Sequence, residues 1–200
     1  MPAEPHQLTL RDGAAVLIRP IRPGDKGALR RGFERLSHES RYSRFLAPME
    51  RLGPSMLAYL AEVDHHDHEA LIAFDPRTGD AVGVARYVRT EGTSAEAAVT
   101  VLDEWQGRGL GTGLTGLLAE RALEEEVDRF TALLLAENME MIALLESVGE
   151  VKVTRRDPGT VEIEVPLELE RPGAGKGLYR VLRAVARRAA AAARPPWAPP

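Results

Sequence analysis

Apolar residues recur along this chain in two spacings, and the switches between them mark out the elements. Leu8–Leu10 and Ala15–Ile21 are short apolar runs around Asp12-Gly13, which predicts two strands joined by a hairpin. Pro23-Gly24-Asp25 then opens a helix to about Leu36, with Asp25 as its N-cap. The polar, Arg-rich stretch Ser37–Phe45 predicts a turn and a further helical turn. Pro54 starts another helix, in which Met56, Leu57, Leu60 and Val63 are spaced for one buried face. Ala70–Phe74 and Ala81–Val88 read as strands around a turn at 75–80. The strand Ala95–Leu102 leads into the glycine-rich turn 106–112, and an amphipathic helix follows from about Thr112 to Glu125. After a strand at Phe130–Leu135, Asn138 caps a helix through Met141, Leu144, Leu145 and Val148 that ends at Gly149 as its C′ glycine. Val151–Arg155 and Thr160–Leu167 form a last hairpin around Asp157-Pro158-Gly159. With no internal repeat, the order predicts an α/β or α+β layer with a mixed sheet.

Composition narrows the function classes. The 200 residues suit one domain with a real core over 1–170 and an appended segment over 171–200. The net charge of −4 hides an asymmetry: residues 1–170 carry −11, whereas 171–200 hold seven basic groups and no acid. An acidic body argues against nucleic acid as partner. From Gly177 onward, Leu178, Val181, Leu182, Val185 and Ala189 fall on one helical face and Arg180, Arg183, Arg187 and Arg194 on the opposite one. Docking of that helix on the acidic body is expected, and membrane attachment is not. The chain has no cysteine, which excludes a disulfide framework, a thiol nucleophile and cysteine zinc sites, and fits a cytoplasmic protein. Its first residues lack the basic-then-apolar pattern of a signal peptide, and no apolar stretch is long enough to span a bilayer.

The turn Gln106-Gly107-Arg108-Gly109-Leu110-Gly111-Thr112 carries the chemistry. A glycine-bearing turn between strand and helix leaves backbone N–H groups unsatisfied, and the helix N-terminus adds partial positive charge. Together they suit a pyrophosphate. The spacing of Gln106, Gly109 and Gly111 is neither the dinucleotide-binding fingerprint nor a Walker loop. Backbone geometry alone is the plainer reason for such glycines.

The surroundings of the turn decide between these readings. AEAAVTVLDEWQGRGLGT, Asn138 and the helix ending at Gly149 together resemble the GNAT superfamily of acetyl-CoA-dependent N-acetyltransferases over about residues 15–167. LLAENMEMIALLESVG, LSHESRYSRF and YLAEVDHHDHEA add a closer likeness to the catalytic domain of Pat-type bacterial protein lysine acetyltransferases. The resemblance implies a mixed, mostly antiparallel central sheet flanked by helices, with acetyl-CoA as co-substrate and no metal. It implies that the strand edge Val99-Thr100-Val101 pairs with the pantetheine arm and polarises the acetyl carbonyl. The turn at Gln106 and the amides of Gly107, Arg108, Gly109, Leu110, Gly111 and Thr112 would hold the pyrophosphate, with Arg108 an added cation. Asn138 would contact the cofactor, as well as capping its helix.

Glu96 matches the acidic general base of Pat-type enzymes. An amine with a pKa of about 10.4 is protonated at neutral pH and needs an acceptor for its proton. Burial among Ala97, Ala98 and Val99 is expected to tune this carboxylate; Glu91, in a loop, is the backup. Leu145 stands where many GNAT enzymes have a tyrosine acid, so the thiolate leaves unassisted or takes its proton from water. His65, His66 and His68 are dense, but side chains at 65 and 66 point to opposite faces in an extended chain, so a polar loop is expected rather than a metal site, with His68 the member to line the site. Arg41 and Arg44, with Tyr42 and Phe45, are expected to form a helix surface with the rings packed beneath. Three readings of function remain: transfer of acetyl to a protein lysine, transfer to a small-molecule amine, or a non-catalytic acetyl-CoA-binding module. The resemblance to Pat-type enzymes also implies, as an alternative for the tail, a regulatory lid over the acceptor groove.

Overall fold

The computed structural model describes residues 5–167, and the expected tail helix and the boundary at residue 170 lie outside them. The strands are β1 (His6–Thr9), β2 (Ala15–Pro20), β3 (His68–Phe74), β4 (Ala81–Arg89), β5 (Ser94–Val101), β6 (Arg129–Leu135), β7 (Lys152–Asp157) and β8 (Thr160–Pro166). They form one eight-stranded sheet in the order β1-β2-β3-β4-β5-β6-β8-β7. β5 and β6 run parallel, and every other neighbouring pair runs antiparallel. The unbroken apolar runs of the sequence become the central strands β3 and β4, which are covered on both faces.

Helices α1 (Lys26–Arg35), α2 (His38–Phe45) and α3 (Pro54–Ala61) lie on one side of the sheet. There Leu29 and Phe33 of α1 line a common cavity with Val82 and Val84 of β4. On the other side lie α4 (Leu110–Glu124) and α5 (Met139–Glu146). Leu110, Leu114 and Leu118 form a wholly buried stripe of α4. A Cβ on Gly83 of β4 would stand 3.0 Å from Leu114 and 3.3 Å from Leu110, so glycine there lets helix and strand approach.

Four details depart from expectation. Asp25 sits before α1, but its carboxylate turns back to accept from the Arg22 N–H at 2.8 Å and pairs with Arg19 at 2.8 Å, leaving α1 without a side-chain cap. α3 stops at Ala61, short of Val63. α4 begins at Leu110 rather than Thr112, because Gly109 at φ 92° is itself the N-cap and accepts from the Gly113 N–H. Gly149 is not a left-handed helix terminus; α5 is capped at Ser147, and the glycine serves close approach, since a Cβ would fall 1.9 Å from the Pro166 carbonyl oxygen. The cap at Asn138 is as expected, with Oδ1 accepting from the Met141 N–H at 3.0 Å.

Candidate active site

The sheet opens where its strands change direction. β5 and β6 pair at Ser94↔Arg129, Ala95↔Phe130 and Glu96↔Thr131, and there the register ends. Beyond Glu96, β5 keeps only β4 as a partner among the described residues. The Thr90 N–H donates to Ser94 O and the Leu102 N–H to Val82 O, and bonded pairs alternate along an antiparallel ladder. Ala98 and Thr100 therefore bond to β4, while Val99 turns its N–H and C=O into the gap. Val101 turns the same way, but its carbonyl accepts from Gln106 Nε2 at 3.0 Å. Of the expected trio, Val99 offers a full edge and Val101 a donor. Thr100 contributes only its side chain, which faces the cavity under α1–α3.

The glycine turn stands at the C-terminal mouth of this gap. Gly107 (φ 69°) and Gly109 (φ 92°) adopt the left-handed conformation that a Cβ disfavours. Among the described residues, none of the consecutive backbone N–H groups from Gly107 to Thr112 donates a hydrogen bond. Exposed donors in a row, at the N-terminus of a 15-residue helix, form an anion cradle. Gln106 lies outside this cradle: its N–H bonds to Asp103 O, and its side chain ties the turn to β5. Arg108 is committed elsewhere, stacking on the Trp105 ring at 4.2 Å and pairing with Asp12 at 2.6 Å. The Ala14 N–H, and then Arg108, hold the Asp12 carboxyl below its ordinary range. These contacts lash the β1–β2 hairpin to the turn and bring up a residue that local sequence did not flag. Arg11 crosses Gly109 so closely that a Cβ there would lie 3.4 Å from its Cγ, and its exposed guanidinium is placed beside the cradle.

Asn138 follows β6, on the opposite side of the gap. Its Oδ1 caps α5, and its Nδ2 makes no hydrogen bond among the described residues. Leu145 is 1% exposed and faces the core. Glu96 lies at the closed end of the gap. It is exposed, not buried: Ala95 and Ala97 take the buried face, and strand alternation turns Glu96 to the other one. On that side Leu133 of β6 is 46% exposed, and β7 is exposed along its whole length. Glu91 is exposed in the loop before β5, away from the gap.

The histidines separate. His65 Nδ1 meets the buried Glu69 at 2.7 Å, His66 Nδ1 meets Glu125 at 2.7 Å, and His68 Nε2 accepts from Arg86 at 3.1 Å. Burial, and then the Arg86 charge, push the His68 imidazole below its ordinary pKa, in keeping with a neutral acceptor. The Arg-rich helix α2 also departs from expectation. Arg41 lies over the Phe33 ring at 4.7 Å, Tyr42 is exposed, and Arg44 faces inward onto the α1–α3 cavity.

Residues 32–149 match the family model described as the acetyltransferase (GNAT) family. The chain is 37% identical over 166 residues to the acetyltransferase Pat of Mycolicibacterium smegmatis, across 81% of this chain and 49% of that protein. It thus spans about half the length of that relative. It is 33% identical over 153 residues to the acetyltransferase PA5475 of Pseudomonas aeruginosa, across 75% of this chain and 81% of the relative. The GNAT domain of S. lividans PAT superposes with a TM-score of 0.75 at 31% identity, covering 82% of this chain and 97% of that one. A split sheet with a donor-rich glycine turn at its mouth, and likenesses of this extent, place the chain in the GNAT acetyltransferase family.

Proposed function

We propose that this protein transfers acetyl from acetyl-CoA to the side-chain amine of protein lysines in the cytoplasm. The observation that carries this reading is the row of unused N–H groups from Gly107 to Thr112, opening onto the unpaired edge of Val99. In it the cradle and Arg11 hold the pyrophosphate, and Val99 and Val101 bond the pantetheine arm as a strand would. The Val99 N–H polarises the acyl carbonyl. Glu96 accepts the proton of the attacking amine, directly or through one water. The nitrogen bonds to the acyl carbon, the C–S bond breaks, and the released thiolate takes a proton from water, since Leu145 has none to give. With no cysteine in the chain, transfer is direct. The open surface around Glu96 and Leu133 favours an acceptor presented on a protein over one enclosed in a pocket. The names of the Pat relatives agree with acetyl transfer.

Incubating the purified protein with a cell lysate, with and without acetyl-CoA, and probing for acetyl-lysine tests this directly. New acetyl-lysine that requires both components is the expected result. Calorimetric binding of acetyl-CoA with no acetylated protein would shift the assignment to a small amine or to a binding module. Asn138 gives a second test, because its two atoms have separate tasks. Asn138→Ala removes the cap and costs about 1 kcal/mol of stability. Asn138→Asp keeps the acceptor for Met141 but loses the amide donor. It is expected to melt near the wild type while binding acetyl-CoA about tenfold more weakly, the value of one lost hydrogen bond. Equal affinity in Asn138→Asp would reduce Asn138 to a cap.

A further inference from the structure

Two cations share an apolar cavity beside the proposed acyl-transfer edge. Arg86 lies mid-way along β4 and is 5% exposed; Arg44 reaches the same cavity from α2. The space is about 70 Å³, walled by Leu29, Phe33 and Phe45 and by Ala98 and Thr100 of β5. It has room for a few waters, or for a short chain in their place. Arg86 donates to Leu60 O at 3.1 Å and to His68 Nε2 at 3.1 Å, both uncharged acceptors. Arg44 packs against the Phe45 ring at 4.9 Å. Among the described residues, neither guanidinium forms an ion pair with a carboxylate. Glu96 acts on Arg44 only at longer range. Burial, and then the charge of Arg44, push the Arg86 guanidinium down to about 9, so it stays charged at neutral pH.

Arg86 is a buried charge with no anionic partner among the described residues, Arg44 is partly exposed on the same cavity, and two like charges between apolar walls disfavour each other. Two guanidinium groups lining one cavity that has no carboxylate among the described residues of its walls match a planar carboxylate. The position of the cavity says where that carboxylate comes from. Ala98 and Thr100 flank Val99, and Glu96 lies on the same face of β5. We propose that Arg44 and Arg86 form a carboxylate subsite that holds the end of a short chain carried by one of the two reactants. The chain is either a dicarboxylic acyl group on the CoA donor or an acidic side chain next to the acceptor amine. This rests on the reading of Val99 as the acyl grip. With a dicarboxylic donor the bonds made and broken are those given for acetyl, and the distal carboxylate is unchanged.

Two arms separate the sources. In the donor arm, calorimetry compares succinyl-CoA with butyryl-CoA, which has the same chain length without the carboxylate. The wild type is expected to bind succinyl-CoA at least tenfold more tightly, a ratio that falls to about one in Arg44→Gln. In the acceptor arm, acetyl transfer is followed into two lysine peptides that differ by Glu or Gln beside the lysine. There a lower KM for the Glu peptide in the wild type, lost in Arg44→Gln, is the expected sign. Each arm is a ratio within one protein, so a general loss of folding cancels, and Arg86→Gln repeats the measurement from the other side of the cavity. A preference in either arm that disappears in the variants supports the subsite and names its source. A wild type that binds acetyl-CoA but shows no preference in both arms, or a preference that survives both substitutions, overturns the subsite alone. A wild type that binds no acyl-CoA overturns the donor reading and the subsite with it.

Discussion

Glu96→Gln is expected to lower kcat by about 10²- to 10⁴-fold, the usual contribution of a positioned general base, while the Kd for acetyl-CoA stays at its wild-type value. The substitution keeps the shape of the side chain and removes its capacity to take a proton. Because Glu96 is exposed, with its neighbours Ala95 and Ala97 turned to the core, the sheet does not depend on its charge. The defect has a pH signature. An acceptor amine with a pKa of about 10.4 is almost wholly protonated at pH 7.5, and more of it deprotonates unaided as the pH approaches 9.5. The ratio of wild-type to variant rates should therefore shrink with rising pH. Steady-state release of CoA thiol across that range is the measurement, and an unchanged kcat at neutral pH would remove Glu96 from the chemistry.

Gly149→Ala is expected to cost about 3 kcal/mol or more of folding stability, at the upper end for an inserted methyl group. A Cβ at this position would lie 1.9 Å from Pro166 O and 3.0 Å from Val165 Cγ1. The first obstacle is backbone, so no side-chain rotation relieves it, and either β8 or the end of α5 must move. Total stabilities of single domains are about 5–15 kcal/mol, so this one methyl removes a large share. For a domain of this size a loss of 3 kcal/mol lowers Tm by roughly 6–12 °C. Gly116, within α4, is the internal comparison: a Cβ there meets nothing within 4 Å. Gly116→Ala should stabilise by about 0.5–1 kcal/mol through the lower entropy cost of alanine in a helix. Thermal unfolding of the two variants side by side checks the sign of each. A Gly149→Ala protein that melts within 2 °C of the wild type would show that β8 is not held where it is seen.

These two glycines also show what could be read from the sequence and what could not. Gly149 falls at the end of an apolar helical pattern, where a glycine ordinarily adopts the left-handed cap. Its actual role is set by Pro166, at the far end of the following hairpin, and local pattern carries no trace of that contact. The glycine turn was legible because both its causes are local: a strand before it, a helix after it, and two residues that must turn left-handed. Glu96 was legible by position but not by environment, since the face a strand residue presents depends on which neighbours cover it. Arg11 was hidden for the same reason as Gly149: it reaches Gly109 from the far end of the chain. Arg86 was passed over, although a charge set inside the run Ala81–Val88, where both faces of the strand are covered, was the signal that could have found it.

The brief pairing of β5 with β6 has a mechanical consequence. Three register pairs form the seam between a five-stranded half, which carries the glycine turn and α4, and a three-stranded half, which carries Asn138 and α5. A donor held by Val99 and the turn on one side and by Asn138 on the other would staple the two halves together. Its binding would then be a folding term, worth about 2.7 kcal/mol when the ligand is at a hundred times its Kd. Amide exchange would register this least in the closed core around β3 and β4, and most at Val99 and Val101, whose N–H groups belong to the middle of a sheet and yet face an open margin.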